Sequence, residues 1–302
     1  MNPWTPLVLA TLGWGSSAVL TRAILQGGVS TFTLLPFRIG IALSIILVVS
    51  IFRRPLRGLD REHWRRGIVL GVVAMTIPNS LLTLALEDVP VSLGGLLIGL
   101  IPLTTIIAAH FLVPGERFNP KATPGLVISV VGTAILVGIG SATMTGVDNL
   151  ARGVTVAMIG VVLAGIGAAL TRKFALEVGG EGLVIPQFTT ATVLFVLAMP
   201  LLGESTISSI EPAQWALIAI LGSFGTAVPF TAFLIAAEIN PARRLGVSGY
   251  LVPVVAVILA VIFLNETITL TVLAGASLIV GGVVLTERAT KHVPEPGIVT
   301  AQ

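Results

Sequence analysis

Long apolar runs separated by short polar segments extend over almost the whole chain. A run of about 20 apolar residues is long enough for a helix to cross the hydrocarbon core of a bilayer. Membrane-spanning strands would instead show segments of ~10 residues with alternating polarity, and this alternation does not occur. The pattern predicts ten membrane-crossing helices, at about 4–22, 31–51, 67–86, 91–113, 122–140, 153–171, 182–202, 213–236, 242–264 and 268–286.

The composition supports this interpretation. Of the 302 residues, 55% are hydrophobic and 10% are charged, whereas a soluble domain is about a quarter charged. So few charges cannot cover a water-exposed globular surface. The sequence therefore predicts an all-α integral membrane protein. The first apolar run follows no Lys or Arg and precedes no clear cleavage site, which predicts a retained helix rather than a signal peptide.

Basic residues gather on one side of the predicted topology. With the N-terminus inside, fourteen of the 17 Lys and Arg residues fall on inner loops or the C-terminal tail. The outer side carries Arg22 and Arg152, and Arg38 lies within the second helix. Because cytoplasmic loops are enriched in Lys and Arg, the sequence predicts a multi-pass protein of the cell (inner) membrane with both termini cytoplasmic. This asymmetry accounts for the net charge of +3, and no nucleic-acid partner is predicted.

The chain contains an internal repeat. The segment GSSAVLTR (15–22) returns as GIGAALTR (165–172), and EDVP (87–90) returns as EINP (238–241). The register holds across five helices at offsets of 150 and 151 residues, as in the pairs Pro36 and Pro186, Trp64 and Trp215, Pro78 and Pro229, Gly95 and Gly246, Pro102 and Pro253, and Glu116 and Glu266. This divides the chain into a first unit at 1–140, a connecting loop at 141–152, a second unit at 153–287 and a cytoplasmic tail at 288–302.

The odd number of crossings in each unit sets their relative orientation. After five crossings the second unit enters the membrane from the opposite side, so a pseudo-two-fold axis in the membrane plane relates the units. Arg22 then lies at the outer end of helix 1 and its copy Arg172 at the inner end of helix 6. Inverted repeats are typical of secondary transporters, in which the two halves exchange conformations to give alternating access. A non-transport scaffold or signalling protein is the alternative.

These motifs resemble a known family. The pattern G-x-x-A-x-L-T-R in the first helix of each unit, together with PLTTIIAAHFLVPGE (102–116) and PVVAVILAVIFLNE (253–266), resembles the EamA-type members of the drug/metabolite transporter superfamily. The resemblance implies ten helices in two inverted five-helix repeats. It also implies a central cavity lined by helices 1, 3, 4, 6, 8 and 9, with helices 5 and 10 peripheral. Members export or import amino acids, related metabolites or drugs.

Helices 1 and 3 offer candidate substrate-binding residues. Trp14 and Ser17 lie three residues apart, on one face of helix 1, either facing a cavity or serving helix packing. In helix 3, Asn79 follows Pro78, which frees a backbone carbonyl. Asn79 either contacts the substrate or satisfies such backbone groups. Its repeat counterpart is Phe230, and a site for an asymmetric substrate should differ between the copies, so both residues are candidates.

Arg38 and Tyr250 complete the candidate binding set. Arg38 lies seven residues inside helix 2, about 10 Å deep at about 1.5 Å per residue. It could neutralise an anionic substrate group, but a long basic side chain favours extension to the outer interface. Its repeat counterpart is Phe188. Tyr250, the only tyrosine, is predicted near the middle of helix 9, where its hydroxyl needs a hydrogen-bond partner.

Paired glycines and prolines mark candidate hinges in helices 4 and 9. Glycine lets helices approach closely and proline kinks them, which predicts either gating hinges or static kinks. The six candidates are Gly95, Gly99, Pro102, Gly246, Gly249 and Pro253.

The distribution of acids and the absence of cysteine bear on mechanism. All 14 Asp and Glu residues fall in loops, tails or helix ends, so facilitated transport or exchange is at least as consistent with the sequence as proton coupling. With no Cys and no acid at depth, an intramembrane enzyme has little support. We expect no cofactor and no metal site. Small amphipathic solutes such as hydrophobic amino acids are the expected substrates, and the oligomeric state remains open.

Overall fold

The computed structural model describes residues 2, 4–53, 59–116, 118–138, 149–203, 207–239, 242–266 and 269–290, which fold into helices without strands. We number the helices in chain order, counting a bent or interrupted helix once: α1 (Thr5–Gln26), α2 (Thr31–Arg53), α3 (Arg61–Asp88), α4 (Val91–Leu112), α5 (Thr123–Gly138), α6 (Leu150–Val178), α7 (Glu181–Leu202), α8 (Pro212–Gly222, Ser223–Ala227 and Val228–Ile239), α9 (Ala242–Leu264) and α10 (Leu270–Thr290).

Most of these helices are suited to a bilayer. Within the described residues, seven are long and apolar enough to cross a membrane: α1, α2, α3, α4, α6, α7 and α8. Shorter apolar stretches occupy Leu251–Leu264 in α9 and Leu273–Thr286 in α10. Large apolar side chains such as Phe52, Phe111 and Leu201 are more than three-quarters exposed. Such exposure is unfavourable in water but matches lipid, so the chain is a multi-pass membrane protein.

The two halves interlock. Helix α1 packs against α8 and α9, and the corresponding helix of the second half, α6, packs against α3 and α4. Helix α2 packs against its counterpart α7, and α5 packs against its counterpart α10. Each helix thus repeats the contacts of its counterpart with the roles of the halves exchanged. This reciprocity agrees with the repeat found in the sequence.

Glycines set the closest helix contacts. On α6, a Cβ at Gly165 would lie 2.1 Å from the Thr104 hydroxyl of α4, and one at Gly167 would lie 2.4 Å from Ala74 of α3. On α1, a Cβ at Gly15 would lie 2.5 Å from Val255 of α9. These approaches leave no room for a side chain, as expected for helices that associate in membranes through small residues.

Three helices depart from regular α-helical geometry near their centres. Helix α3 contains a π-helical turn at Gly71–Thr76 and α8 contains one at Ser223–Ala227, each just before a proline. Helix α4 is interrupted between Ile98 and Ile101, because Pro102 lacks the N–H that would bond the carbonyl of Ile98. Local hydroxyls bind carbonyls at the π-turns: Thr76 donates to Gly71 O at 2.7 Å.

Polar contacts gather at two opposite ends of the bundle. The Arg22 end comprises the α1–α2, α3–α4, α7–α8 and α9–α10 connections, the end of α5 and the start of α6, and the Arg172 end comprises the other helix termini. At the Arg172 end, Arg66 pairs with Glu177 at 2.6 Å and Asp60 accepts the His63 backbone N–H at 2.9 Å. Hydrogen bonds from His63 hold the pKa of Asp60 below its usual range. Polar contacts therefore link α3 to α6 at the Arg172 end.

Helices α5 and α10 provide a sharp test of glycine-mediated packing. At Gly282 a Cβ would lie 2.4 Å from Gly125 O, whereas a Cβ at the adjacent Gly281 would meet nothing within 4 Å. Overpacking costs about 1–3 kcal/mol. We expect Gly282→Leu to lower the Tm of the purified protein by about 3–10 °C, whereas Gly281→Leu should leave it nearly unchanged. Equal Tm values for the two variants would contradict the packing described here.

Candidate functional site

A cavity of about 750 Å³ lies between the two halves. This is within the range of small-molecule sites, about 300–1,000 Å³. Its wall is formed by α1, α3 and α4 together with residues of α6, α8 and α9, and it also includes one residue each from α2 and α10. The sequence resemblance did not include α2 in the lining and implied that helix 10 is peripheral, whereas Arg38 of α2 and Val283 of α10 both line the cavity.

Arg38 brings a positive charge into this cavity. Its Nε donates to the Thr226 hydroxyl at 3.0 Å and its Nη2 donates to the Ser17 hydroxyl at 2.8 Å. Ser17 lies near the middle of α1 and Thr226 near the middle of α8. The guanidinium is therefore turned into the bundle and does not follow α2 to its end, contrary to the extension that the sequence favoured. Two polar partners from neighbouring helices offset part of the cost of a charge in an apolar setting.

The π-turn of α8 prepares Thr226 for this contact. The Thr226 hydroxyl donates to Leu221 O at 3.0 Å, five residues earlier, which fixes the direction of its proton. Its oxygen lone pairs then remain for the Arg38 N–H. Thr226 was not among the residues singled out from the sequence. The signal available was a hydroxyl residue in SFGTAVP, three positions before Pro229.

Trp14 and Asn79 line the same cavity. The Trp14 ring packs against Phe233 with their centroids 5.3 Å apart, which creates an aromatic wall. Asn79 donates its amide N–H to Met75 O at 2.8 Å. Asn79 therefore satisfies a backbone carbonyl, and it also lines the cavity. Phe233, like Thr226, was not singled out from the sequence.

Phe230 does not belong to the cavity lining. Its ring packs edge-on against Phe188 at 5.0 Å between centroids, beside the core formed by α2 and α7. The physical reason is the favourable free energy of burying two aromatic rings against each other. Phe188 and Phe230 are the repeat counterparts of Arg38 and Asn79. The two halves therefore differ here, with a polar pair in the first copy and an aromatic pair in the second.

The candidate hinge residues of α4 meet α9 at the cavity. Gly95, Gly99, Pro102 and Pro253 all line it, and a Cβ at Gly99 would lie 3.0 Å from the Pro253 ring. Helix α4 is interrupted beside this crossing, whereas α9 runs continuously through Pro253.

The remaining candidates lie in the first part of α9. The backbone of Gly246, Gly249 and Tyr250 is helical. Their surroundings, including the Tyr250 side chain, lie outside the described residues.

Comparison with known proteins gives a consistent picture. The model of the EamA-like transporter family matches residues 6–138 and 151–288. The chain is 26% identical over 275 residues to the aromatic amino acid exporter YddG of Ancylobacter novellus, covering 90% of this chain and 92% of that protein. It is also 26% identical over 287 residues to a probable terminal-alkyne amino-acid exporter of Streptantibioticus cattleyicolor, covering 94% and 93%.

A solved structure shares the fold. A protein of known crystal structure matches with a TM-score of 0.69, covering 96% of this chain and 98% of that chain. The two sequences are 23% identical, so this likeness concerns the fold alone.

The natural absence of cysteine allows a direct test of the cavity wall. We expect the single cysteine of Asn79→Cys to react with a membrane-impermeant maleimide, from one side of the membrane or the other, because position 79 borders the cavity. Phe230→Cys, its repeat counterpart, should react far more slowly because that position is packed against Phe188. Labelling is measured in whole cells and in inside-out vesicles, with labelling after denaturation as the full-reaction control. Equal protection of both cysteines would contradict the cavity.

Proposed function

The chain belongs to the EamA-like transporter family, and on that premise we propose that it is a secondary transporter, an exporter or facilitator, of amino acids or related small amphipathic metabolites. The observation that carries the proposal is the cavity of about 750 Å³, to which both repeats contribute. Its volume suits a single small solute. The similarity to two proteins named as amino-acid exporters supports the substrate class.

The proposed symmetry of the two repeats supports transport by alternating access. We propose that all ten helices cross the membrane as two inverted five-helix repeats. When two inverted repeats exchange conformations, a central cavity open to one side becomes open to the other at similar free energy. The reciprocal packing of α1 and α6 on the opposite halves supports this proposal. The enrichment of Lys and Arg in the loops of the Arg172 end favours a cytoplasmic location for that end and for both termini.

The cavity residues divide into three roles in this proposal. Trp14, with its neighbour Phe233, contacts the apolar part of the solute. Ser17, Arg38 and Asn79 provide its polar contacts. The crossing of α4 and α9 at Gly95, Gly99, Pro102 and Pro253 bends as the halves exchange conformation, since the missing proline N–H groups lower the resistance to bending there.

The test uses purified protein in liposomes preloaded with phenylalanine. We expect external labelled phenylalanine to accumulate by exchange. Ile106→Trp should abolish accumulation, because Ile106 lines the cavity and the larger indole side chain would occupy the space of the solute. Ile107→Trp is the matched control, since the adjacent Ile107 is 44% exposed on the outside of the bundle.

Tm measurements show whether both tryptophan variants remain folded. Equal accumulation by Ile106→Trp and the unmodified protein would contradict transport through this cavity. The common amino acids are then tested in turn in place of phenylalanine. If the unmodified protein exchanges none of them, the proposed substrate class is contradicted.

A further inference from the structure

The positive charge of the cavity has no negative counterpart among the described residues of its lining. Among the described residues that line it, Arg38 is charged and none is Asp or Glu. A guanidinium has five N–H donors, and the contacts with Thr226 and Ser17 account for two of them. A charge held in an apolar environment is costly unless an opposite charge or sufficient hydrogen bonds accompany it. A bound anionic group would supply both.

We propose that Arg38 selects solutes that carry a carboxylate and excludes organic cations. Thr226 and Ser17 act as positioning residues because they hold Nε and Nη2 and leave the remaining N–H donors for the solute. A carboxylate accepts such donors with charge-assisted hydrogen bonds. A lone ammonium would meet the same positive charge with no acid among the described lining. This inference rests on the proposed function and narrows its substrate class.

Three ligands of similar shape distinguish the contribution of a carboxylate from that of an ammonium group. Phenylalanine carries both groups, 3-phenylpropionate carries the carboxylate alone and 2-phenylethylamine carries the ammonium alone. We expect the first two to bind the purified protein and the third not to, as measured by the ligand-dependent rise in Tm and by calorimetry. Arg38→Gln should weaken binding of both carboxylates by roughly 10- to 100-fold, and Arg38→Lys should restore part of it.

The control is Arg65→Gln, because Arg65 is 78% exposed at the Arg172 end. This variant should bind as the unmodified protein does. Binding of 2-phenylethylamine as tight as that of phenylalanine, or unchanged binding by Arg38→Gln, would overturn the role of Arg38 alone. Binding of none of the three by the unmodified protein would overturn the proposed substrate class as well.

A separate observation concerns the connection between α3 and α4, which we call the 86–92 junction. Arg22 donates through Nη1 to the carbonyls of Leu86 and Glu87, the latter at 2.8 Å. Glu266 accepts the backbone N–H groups of Val91 at 2.6 Å and Ser92 at 2.9 Å. A cation thus binds the carbonyl end of α3 and an anion the N–H end of α4, which is the favourable pairing at each terminus.

The junction borders the cavity at the Arg22 end. Leu86 lines the cavity, and Val89 and Val91 are fully buried. Two further polar contacts hold the junction. Thr31 donates to the Glu87 carboxylate at 2.6 Å, and Arg152 pairs with Asp88 at 3.2 Å.

The repeat supplies the same groups at the opposite end, in a different arrangement. Arg172 and Glu116 are the counterparts of Arg22 and Glu266, and the counterpart of the 86–92 junction is the segment 237–243. In this structure Arg172 Nε binds the Glu116 carboxylate at 3.2 Å. Arg22 and Glu266, in contrast, each bind a helix terminus of the junction.

We infer that these residues form two alternating latches, again on the premise of transport by alternating access. The Arg22–Glu266 latch holds the Arg22 end closed in this conformation. In the opposite conformation Arg172 binds the last carbonyls of α8 and Glu116 binds the first N–H groups of α9. Arg22 and Glu266 are then released from the 86–92 junction and bind each other.

The two acids should therefore have opposite effects on access to the cavity. In the Asn79→Cys reporter, we expect Glu266→Gln to increase maleimide labelling from outside at least twofold and Glu116→Gln to decrease it, with the reverse in inside-out vesicles. Glu211→Gln is the control, because the exposed Glu211 at the start of α8 makes no capping hydrogen bond. Changes of the same sign in both acid variants, or no change, would overturn the latches.

A charge exchange separates a latch from a simple surface ion pair. The double variant Arg172→Glu with Glu116→Arg keeps the ion pair but places a carboxylate near helix carbonyls and a cation near helix N–H groups. If these residues form a latch, the double variant should decrease outside labelling of the Asn79→Cys reporter as Glu116→Gln does. Labelling equal to that of the reporter alone would show a surface ion pair only and overturn the inference. Labelling from only one side of the membrane in every variant would instead contradict alternating access itself.

Discussion

The hydrocarbon core supplies no water to bind backbone N–H and C=O groups, and this constraint governs the architecture. Irregular backbone is tolerated at that depth only where protein or a cavity surrounds it. The irregular turns of α3, α4 and α8 follow this rule, since each lies beside a neighbouring helix or the cavity. Side-chain hydroxyls complete the pairing, as Thr76 does at the carbonyl of Gly71.

The same constraint links fold to chemistry. Thr226, within the π-turn of α8, donates to the Leu221 carbonyl and accepts a hydrogen bond from Arg38. A distortion of the backbone thereby places a guanidinium in an apolar cavity with donors to spare. The second copy lacks this arrangement because Phe188 occupies the position equivalent to Arg38, and its ring packs against Phe230. The two halves are alike in packing and different in the polarity of these equivalent positions.

Much of this organisation could be predicted from the sequence because it depends on local periodicity and on duplication. Apolar run length predicts the helices, and the offset of 150 residues identifies the halves. Trp14, Ser17, Arg38 and Asn79 were selected as polar or aromatic groups at unfavourable depth, and they line one cavity. Phe230 was selected by symmetry with Asn79, and symmetry alone could not show that its ring packs against Phe188.

The sequence by itself determined membrane residence, the two-unit repeat and the basic asymmetry of the loops, because each follows from counting residues along the chain. Only the tertiary structure decided where long side chains end. Arg38 can reach either the interface or the bundle centre, and hydroxyls from α1 and α8 settle the choice. Likewise Arg22 and Arg172 occupy equivalent sequence positions but bind different partners, because the contacts available at each end depend on how the two halves are packed.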